Sequence, residues 1–233
     1  MKTSSIAALI AAGIGLVLAT SSAQAITYTA TASGTGGDGP ESASASITTG
    51  LNLLTVSLSS LIANPTAAGQ EVSDIEITLG SVPTSASLSS SSGTLINIAP
   101  GGAVTPAGGS ITHWGTALSG ATVTLATAGP GSVGGSPIDL IIGPGPYTNA
   151  NPSITGRNPQ IQDTGTFLLS VLGITSSTTV TSVQFSFGTG PDSFLPGRLT
   201  AVPLPAALPL FATGLGALGL LGWRRKRKNA AAA

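Results

Sequence analysis

From Ile26 onward the chain alternates apolar and polar residues with a period of two, and this pattern restricts the fold more than any other feature. Ile75, Ile77 and Leu79 alternate with Asp74, Glu76 and Thr78, and Val183, Phe185 and Phe187 with Ser182, Gln184 and Ser186. Leu54, Val56 and Leu58 alternate with Thr55 and Ser57, and Tyr28, Ala30 and Ala32 with Thr27, Thr29 and Thr31. Val123 and Leu125, then Ile138, Leu140 and Ile142, then Phe167, Leu169 and Val171 extend the series. Successive strand side chains point to opposite faces, so runs of this kind are strands with one buried face.

Strong turn formers separate the runs: Gly34 to Pro40, Asn64-Pro65, Pro100-Gly101-Gly102, Gly129 to Pro137, Gly143 to Pro146, Asn158-Pro159 and Gly188 to Pro191. No segment of this region shows the 3.6-residue period of an amphipathic helix. The expectation is an all-β fold, a single antiparallel β-sandwich of about nine or ten strands. A β-solenoid would need a fixed internal period, and none is found. Disorder suits the Gly/Pro loops, but repeated apolar alternation and a low charge count argue for a folded remainder. The chain has no cysteine, so the fold must be held by its core rather than by disulfides. At roughly 175 residues the region is large enough for one sizeable core.

The two ends of the chain read differently. Met1-Lys2 is a minimal positive start, followed by the apolar run Ile6 to Ala19 and polar Thr20-Ser21-Ser22. Ala23-Gln24-Ala25 has the small-x-small pattern read by signal peptidase, which places cleavage after Ala25. An uncleaved anchor is the alternative, but the apolar run is short for a spanning helix. Near the other end, the seventeen residues Ala207 to Trp223 carry no charge and run into Arg224-Arg225-Lys226-Arg227-Lys228. As a helix they span about 25 Å, and with Leu204 to Ala206 they approach the roughly 30 Å of bilayer hydrocarbon. Pro209 falls in the first turns, where a missing N–H is tolerated, and Trp223 sits where an interfacial aromatic belongs. The cation cluster should stay on the cytoplasmic side, and it argues against a buried core helix. Ala212, Gly216 and Gly219 would let two such helices approach closely, although small residues are common in membrane helices in any case.

The resulting organisation is a signal peptide over 1–25, an exported domain over 26–199 and an extended linker over 200–206. A transmembrane helix over 207–223 and a basic cytoplasmic tail over 224–233 complete it. Charge divides along these lines. The whole chain is formally neutral, with eight cations and eight acids. Ile26 to Ala201, however, keeps only Arg157 and Arg198 against all eight acids, a formal charge of −6. That balance argues against nucleic acid and against anionic lipid surfaces as partners. A charge-poor surface rich in Ser, Thr and Gly suits an extracellular matrix.

Val202-Pro203-Leu204-Pro205-Ala206, the apolar stretch and the basic cluster together resemble the carboxy-terminal sorting signal of PEP-CTERM proteins, in the variant that opens Val-Pro-Leu-Pro-Ala. The resemblance covers Val202 to Lys228, with its three parts in the family's order. It implies a protein exported through the inner membrane of a Gram-negative bacterium, anchored transiently by the tail helix. It further implies cutting near the Pro motif by an exosortase, a polytopic membrane enzyme with Cys, His and Arg in its active site. Delivery to the envelope or extracellular matrix, often beside exopolysaccharide, would follow. Leu204 replaces the Glu of the name-giving Pro-Glu-Pro, as suits the variant, and Asn229 with four alanines extends past the basic cluster. The nucleophile belongs to the processing enzyme, so the resemblance carries no catalytic residue to this chain. Independently, two prolines one residue apart cannot join a helix ladder, so Val202 to Pro205 should be extended at the membrane surface and open to a protease. Phe185 to Phe194 is similar, more loosely, to closing segments of exported domains that carry this kind of tail. That likeness implies no activity, and it ends the globular domain near Phe194 to Leu199.

Candidate sites within the exported region are few. Gly129-Pro130-Gly131-Ser132-Val133-Gly134 matches Gly-x-Gly-x-x-Gly, but no helix follows to hold a pyrophosphate, so it reads as a loop. His113-Trp114 joins the one histidine to the one tryptophan of the exported region and is the candidate sugar contact: an exposed Trp could stack on a sugar ring. A half-buried aromatic with a polar tip is the commoner use of such a residue. A hydrolase would need His113 as base with a Ser nucleophile and an Asp such as Asp139, and no Gly-x-Ser-x-Gly elbow is present. Glu71, Asp74 and Glu76 form the densest acidic cluster; a bridging calcium ion is one reading and a solvated strand face the more ordinary one. One histidine and no cysteine exclude the usual zinc sites. Asp192, in a Gly-Pro-Asp-Ser turn, reads as a turn former whose carboxylate bonds nearby backbone. Asn64-Pro65-Thr66 and Asn151-Pro152-Ser153 are barred by Pro as N-glycosylation acceptors, while Ser/Thr density leaves O-linked modification open.

The sequence thus leads to a non-enzymatic envelope or matrix protein with no cofactor or metal. Its partners would be an exosortase-like enzyme, the inner membrane transiently, and extracellular polysaccharide. The alternative is a surface carbohydrate-binding module using Trp114. A solvent-exposed Trp114 would favour the module, a buried one the structural reading.

Overall fold

The computed structural model of the protein describes residues 25–127, 138–190 and 192–202. Thirteen strands form among them, against the nine or ten expected: β1 (Ile26–Gly36), β2 (Gly39–Gly50), β3 (Leu53–Ser60), β4 (Val72–Leu79), β5 (Ser85–Ile98), β6 (Val104–Pro106) and β7 (Gly115–Ser119). They continue with β8 (Thr122–Ala126), β9 (Ile141–Ile142), β10 (Gln160–Leu172), β11 (Val180–Phe187), β12 (Ser193–Pro196) and β13 (Arg198–Val202). One helical turn, α1 (Pro152–Thr155), is capped by Asn151, whose side chain accepts from the Ser153 N–H.

All thirteen strands join one mixed, mostly antiparallel sheet. Its path runs β12-β11-β4-β9-β10-β3-β2-β1-β13, with β5 and then β6 added at β10 and β8 and then β7 added at β4. The wholly antiparallel expectation fails at one place, where β9 runs parallel to β10. Ile138, Leu140 and Ile142 were expected to alternate with exposed partners, yet Asp139 and Ile141 are buried as well. The reason is position. β9 pairs with β4 on one side and β10 on the other, and the side chains of this segment enter an apolar cluster on each face, Ile141 the main one and Leu140 and Ile142 a second.

Along β1, β2 and β3 the alternation determines the burial. Tyr28, Ala30 and Ala32 of β1, Ala43, Ala45 and Ile47 of β2, and Leu54, Val56 and Leu58 of β3 point inward. They share one apolar cluster with Ile75, Ile77 and Leu79 of β4 and with Val183, Phe185 and Phe187 of β11. The opposite face of β1 to β3 carries hydroxyls in register. Thr200, Thr29, Ser46, Ser57, Thr166 and Ser92 form one row across six strands.

β12 and β13 stand at opposite ends of the path, yet only Gly197 separates them in sequence. The two ends of the sheet therefore meet, and β1 packs against β11 and β12. Gly197 donates its N–H to the Val183 carbonyl at 2.8 Å. A Cβ at this position would lie 3.0 Å from Phe185 Cε2 and 3.2 Å from the Val183 oxygen, so the crossing needs glycine for space.

Candidate functional site

The His113-Trp114 pair sits in the segment before β7, and Asp139 reaches it from the segment before β9. Asp139 has a positive φ of 59°, a conformation that Asp tolerates better than most residues. Its Oδ2 accepts from the Thr112 N–H at 3.1 Å, the His113 N–H at 3.3 Å and His113 Nδ1 at 2.9 Å. Its carbonyl accepts from Trp114 Nε1 at 2.8 Å. One residue thus ties two distant segments through both its side chain and its backbone.

Trp114 is 1% exposed and packs against Phe167, with ring centroids 4.6 Å apart and the planes tilted by 38°. It presents no face to a sugar ring, so the contact expected of an exposed Trp114 has no surface to act through. The aromatic body fills the core and the indole N–H meets a carbonyl, the usual arrangement for a buried tryptophan.

Two members of a hydrolytic triad do come together, His113 and Asp139. Among the described residues the hydroxyl bonded to the ring is that of Thr112, 3.3 Å from Nδ1, the same nitrogen that Asp139 holds. A nucleophile relay needs the acid on one ring nitrogen and the attacking hydroxyl on the other. Among the described residues the arrangement anchors a loop, with Asp139 and Thr112 both on Nδ1.

The acidic cluster is not a solvated strand face. Glu71 is wholly buried and Asp74 is 4% exposed; Glu76 is half-buried. Burial pushes the Glu71 carboxyl well above its ordinary value of 4.5, and neighbouring Gln160 and Arg157 offset this only in part. No hydrogen bond of good geometry reaches either Glu71 oxygen or Gln160 Oε1. Burial likewise raises Asp74 from 3.8 to about 6, against a lowering contribution from Ser186, its cross-strand partner, and a raising one from Glu76. Among the described residues no three His, Cys, Asp or Glu side chains are grouped to hold a metal ion. The feature that sequence reading missed is a β-bulge. β4 and β11 shift register between Ser186 and Phe187, adding a residue on the β4 side, so the alternation breaks at Val72, Ser73 and Asp74 and all three are buried.

Asp192 behaves as its turn motif requires, its Oδ2 accepting from the Thr189 N–H at 3.1 Å. Glu41, which no motif singled out, is buried and accepts from the Ser193 hydroxyl.

Of the expected sorting motif only the first residue, Val202, is among the described residues. Val202 closes β13 and pairs with Thr27 of β1, and Thr200 and Ala201 precede it in the same ladder. These three residues, assigned to an extended linker by sequence, are extended as a paired edge strand. Ala25 directly precedes β1. Ala23, Pro203 to Ala206, the 207–223 helix, Arg224 to Lys228 and the Gly129 to Gly134 loop lie outside the described residues. Among the described residues no helix is long and apolar enough to cross a membrane. Comparison with family models, with curated proteins and with solved structures finds no match to this chain.

Proposed function

We propose that the chain is an exported, non-enzymatic envelope or matrix protein, carried by its amino-terminal signal and sorted by its carboxy-terminal tail. In this reading the tail helix holds the protein in the inner membrane until an exosortase-like enzyme cuts near Val202 to Ala206. The domain then stays in the envelope or outside the cell, beside polysaccharide. One observation supports this above the rest: Thr27 and Val202 are register partners, so both membrane-directed segments leave the domain from the same end of one ladder. A domain built this way can sit on one membrane with both segments inserted, without unfolding either edge.

The folded-over sheet is, in the same proposal, a two-layer sandwich. β13-β1-β2-β3-β10-β5-β6 form one layer and β12-β11-β4-β8-β7 the other, with β9 and Gly197 as corners where the chain changes layers. Support comes from the shared apolar cluster and from the packing of β1 on β11 and β12. Burial of Trp114 and the His113–Asp139 loop anchor favour the structural role over both a Trp114-based sugar module and a hydrolase.

Alkaline carbonate extraction of vesicles carrying the newly exported precursor tests the anchoring step. The precursor is expected in the pellet. Its release into the wash, with the tail intact, would refute membrane anchoring.

A further inference from the structure

The outer face of β1 and β2 ends in a cleft of about 240 Å³ whose lining includes Arg198, Thr31, Ser33, Ser42, Leu61 and Pro196. Its chemistry is unlike that of the rest of the domain. Arg198 is one of two cations between Ile26 and Ala201, against eight acids. Among the described residues no carboxylate forms an ion pair with Arg198. Arg198 stands opposite Thr31 in the β1–β13 ladder, and Ser33 stands opposite Ser42 between β1 and β2. Arg198 therefore shares the cleft with hydroxyls held on strands rather than on loops. Ser42 donates to the Ala32 carbonyl at 3.1 Å, which fixes its oxygen and leaves lone pairs to accept from a ligand hydroxyl. Leu61 and Pro196 add apolar surface at the rim.

A guanidinium presents a planar fork that fits a carboxylate through two parallel N–H···O bonds. Clustered hydroxyls suit a polyol, and the aliphatic rim suits the C–H face of a pyranose. The cleft is smaller than the roughly 300 Å³ at which drug-sized pockets begin, so it has room for one sugar residue. We infer that this cleft binds a uronic acid residue of a polysaccharide, its carboxylate on Arg198 and its hydroxyls on Thr31, Ser33 and Ser42. The hydroxyl rows crossing β1, β2 and β3 continue from the cleft and give an extended glycan further donors and acceptors. The domain's formal charge of −6 opposes unspecific capture of polyanions, so recognition depends on this single cation and its neighbours. The inference rests on the proposed extracellular location only for access to such a polymer.

Isothermal titration of the full chain in detergent with trigalacturonate, maltotriose and sodium acetate tests it. Trigalacturonate is expected to bind while the other two do not. Arg198→Gln should lower that affinity at least about tenfold, the scale of a lost charge-assisted pair. Arg198→Lys should recover only part of it, because Lys lacks the fork. Arg198 is exposed on an edge strand, and an unchanged near-ultraviolet circular dichroism spectrum would show each variant folded. Absence of trigalacturonate binding by the folded wild-type chain would overturn the inference, as would equal binding by Arg198→Gln. Binding of acetate as tight as the uronate would reduce the cleft to an anion contact and overturn the sugar assignment. None of these results bears on whether the tail is cut, so the two proposals fail separately.

Discussion

Thr27 and Val202 face each other across the β1–β13 ladder, which makes the start of the first strand and the start of the proposed sorting motif neighbours. The sequence separates them by nearly the whole domain. The pairing has a mechanical consequence. Val202 is held in the sheet, so under the proposed processing the segment offered to a cutting enzyme would begin beyond it, and Pro203, the next residue, has no N–H to donate to a ladder.

The Gly197 crossing should be intolerant of side chains. Gly197→Val places new atoms against Phe185 Cε2 and the Val183 carbonyl, and overpacking of this kind costs about 1–3 kcal/mol. A lower urea midpoint with an unchanged slope is expected. Gly108→Val, where a Cβ meets nothing within 4 Å, should stay within about 0.5 kcal/mol of the parent.

Asp139→Ala should destabilise more than His113→Ala. The first leaves the Thr112 and His113 backbone N–H groups without their acceptor, at about 0.5–1.5 kcal/mol for each lost hydrogen bond. The second removes a half-buried ring and one of Asp139's three donors. Equal urea midpoints for the two variants would show that the carboxylate does not organise the loop.

Stability should fall as pH rises. Asp74 and Glu71 both have folded-state pKa values above their ordinary ones, so the folded chain binds more protons than the unfolded chain in the interval between. For Asp74 that interval runs from 3.8 to about 6. Its stabilising contribution is complete below the lower value and is lost as pH climbs through the upper one. The loss is at most about 3 kcal/mol, from about 1.4 kcal/mol per pKa unit. Thermal melts are expected to show a higher Tm at pH 4.5 than at pH 7.5. Asp74→Asn and Glu71→Gln should each flatten that slope, and a slope unchanged in both would place its origin elsewhere.

Much of this fold was legible from residues alone, because one buried face imposes a period of two. The strands containing Leu54, Ile75, Val123, Phe167 and Phe185 all lie where the alternation puts them. β5 escaped because Ser89 to Ser92 carry no hydropathy signal; its place comes from pairing along β10. β2 escaped for a related reason, since its inward residues Ala43 and Ala45 are barely more apolar than the serines between them. At the candidate site the sequence brought His113 and Asp139 forward as partners. It could not show that Trp114 would be inside, because burial depends on which strand crosses above it. The acids of β4 were misplaced by the bulge opposite Ser186, and no sequence period encodes that. The Arg198 cleft is assembled by β1, β2 and β13 from residues far apart in sequence, and its one advance sign was the scarcity of cations in the domain.

Intact-mass measurement of the protein isolated from its native envelope tests the central claim most directly. The account predicts a species lacking residues 1–25 and everything after roughly Val202. A mature species that still carries Arg224 to Lys228 would contradict processing and leave a permanently anchored protein in its place.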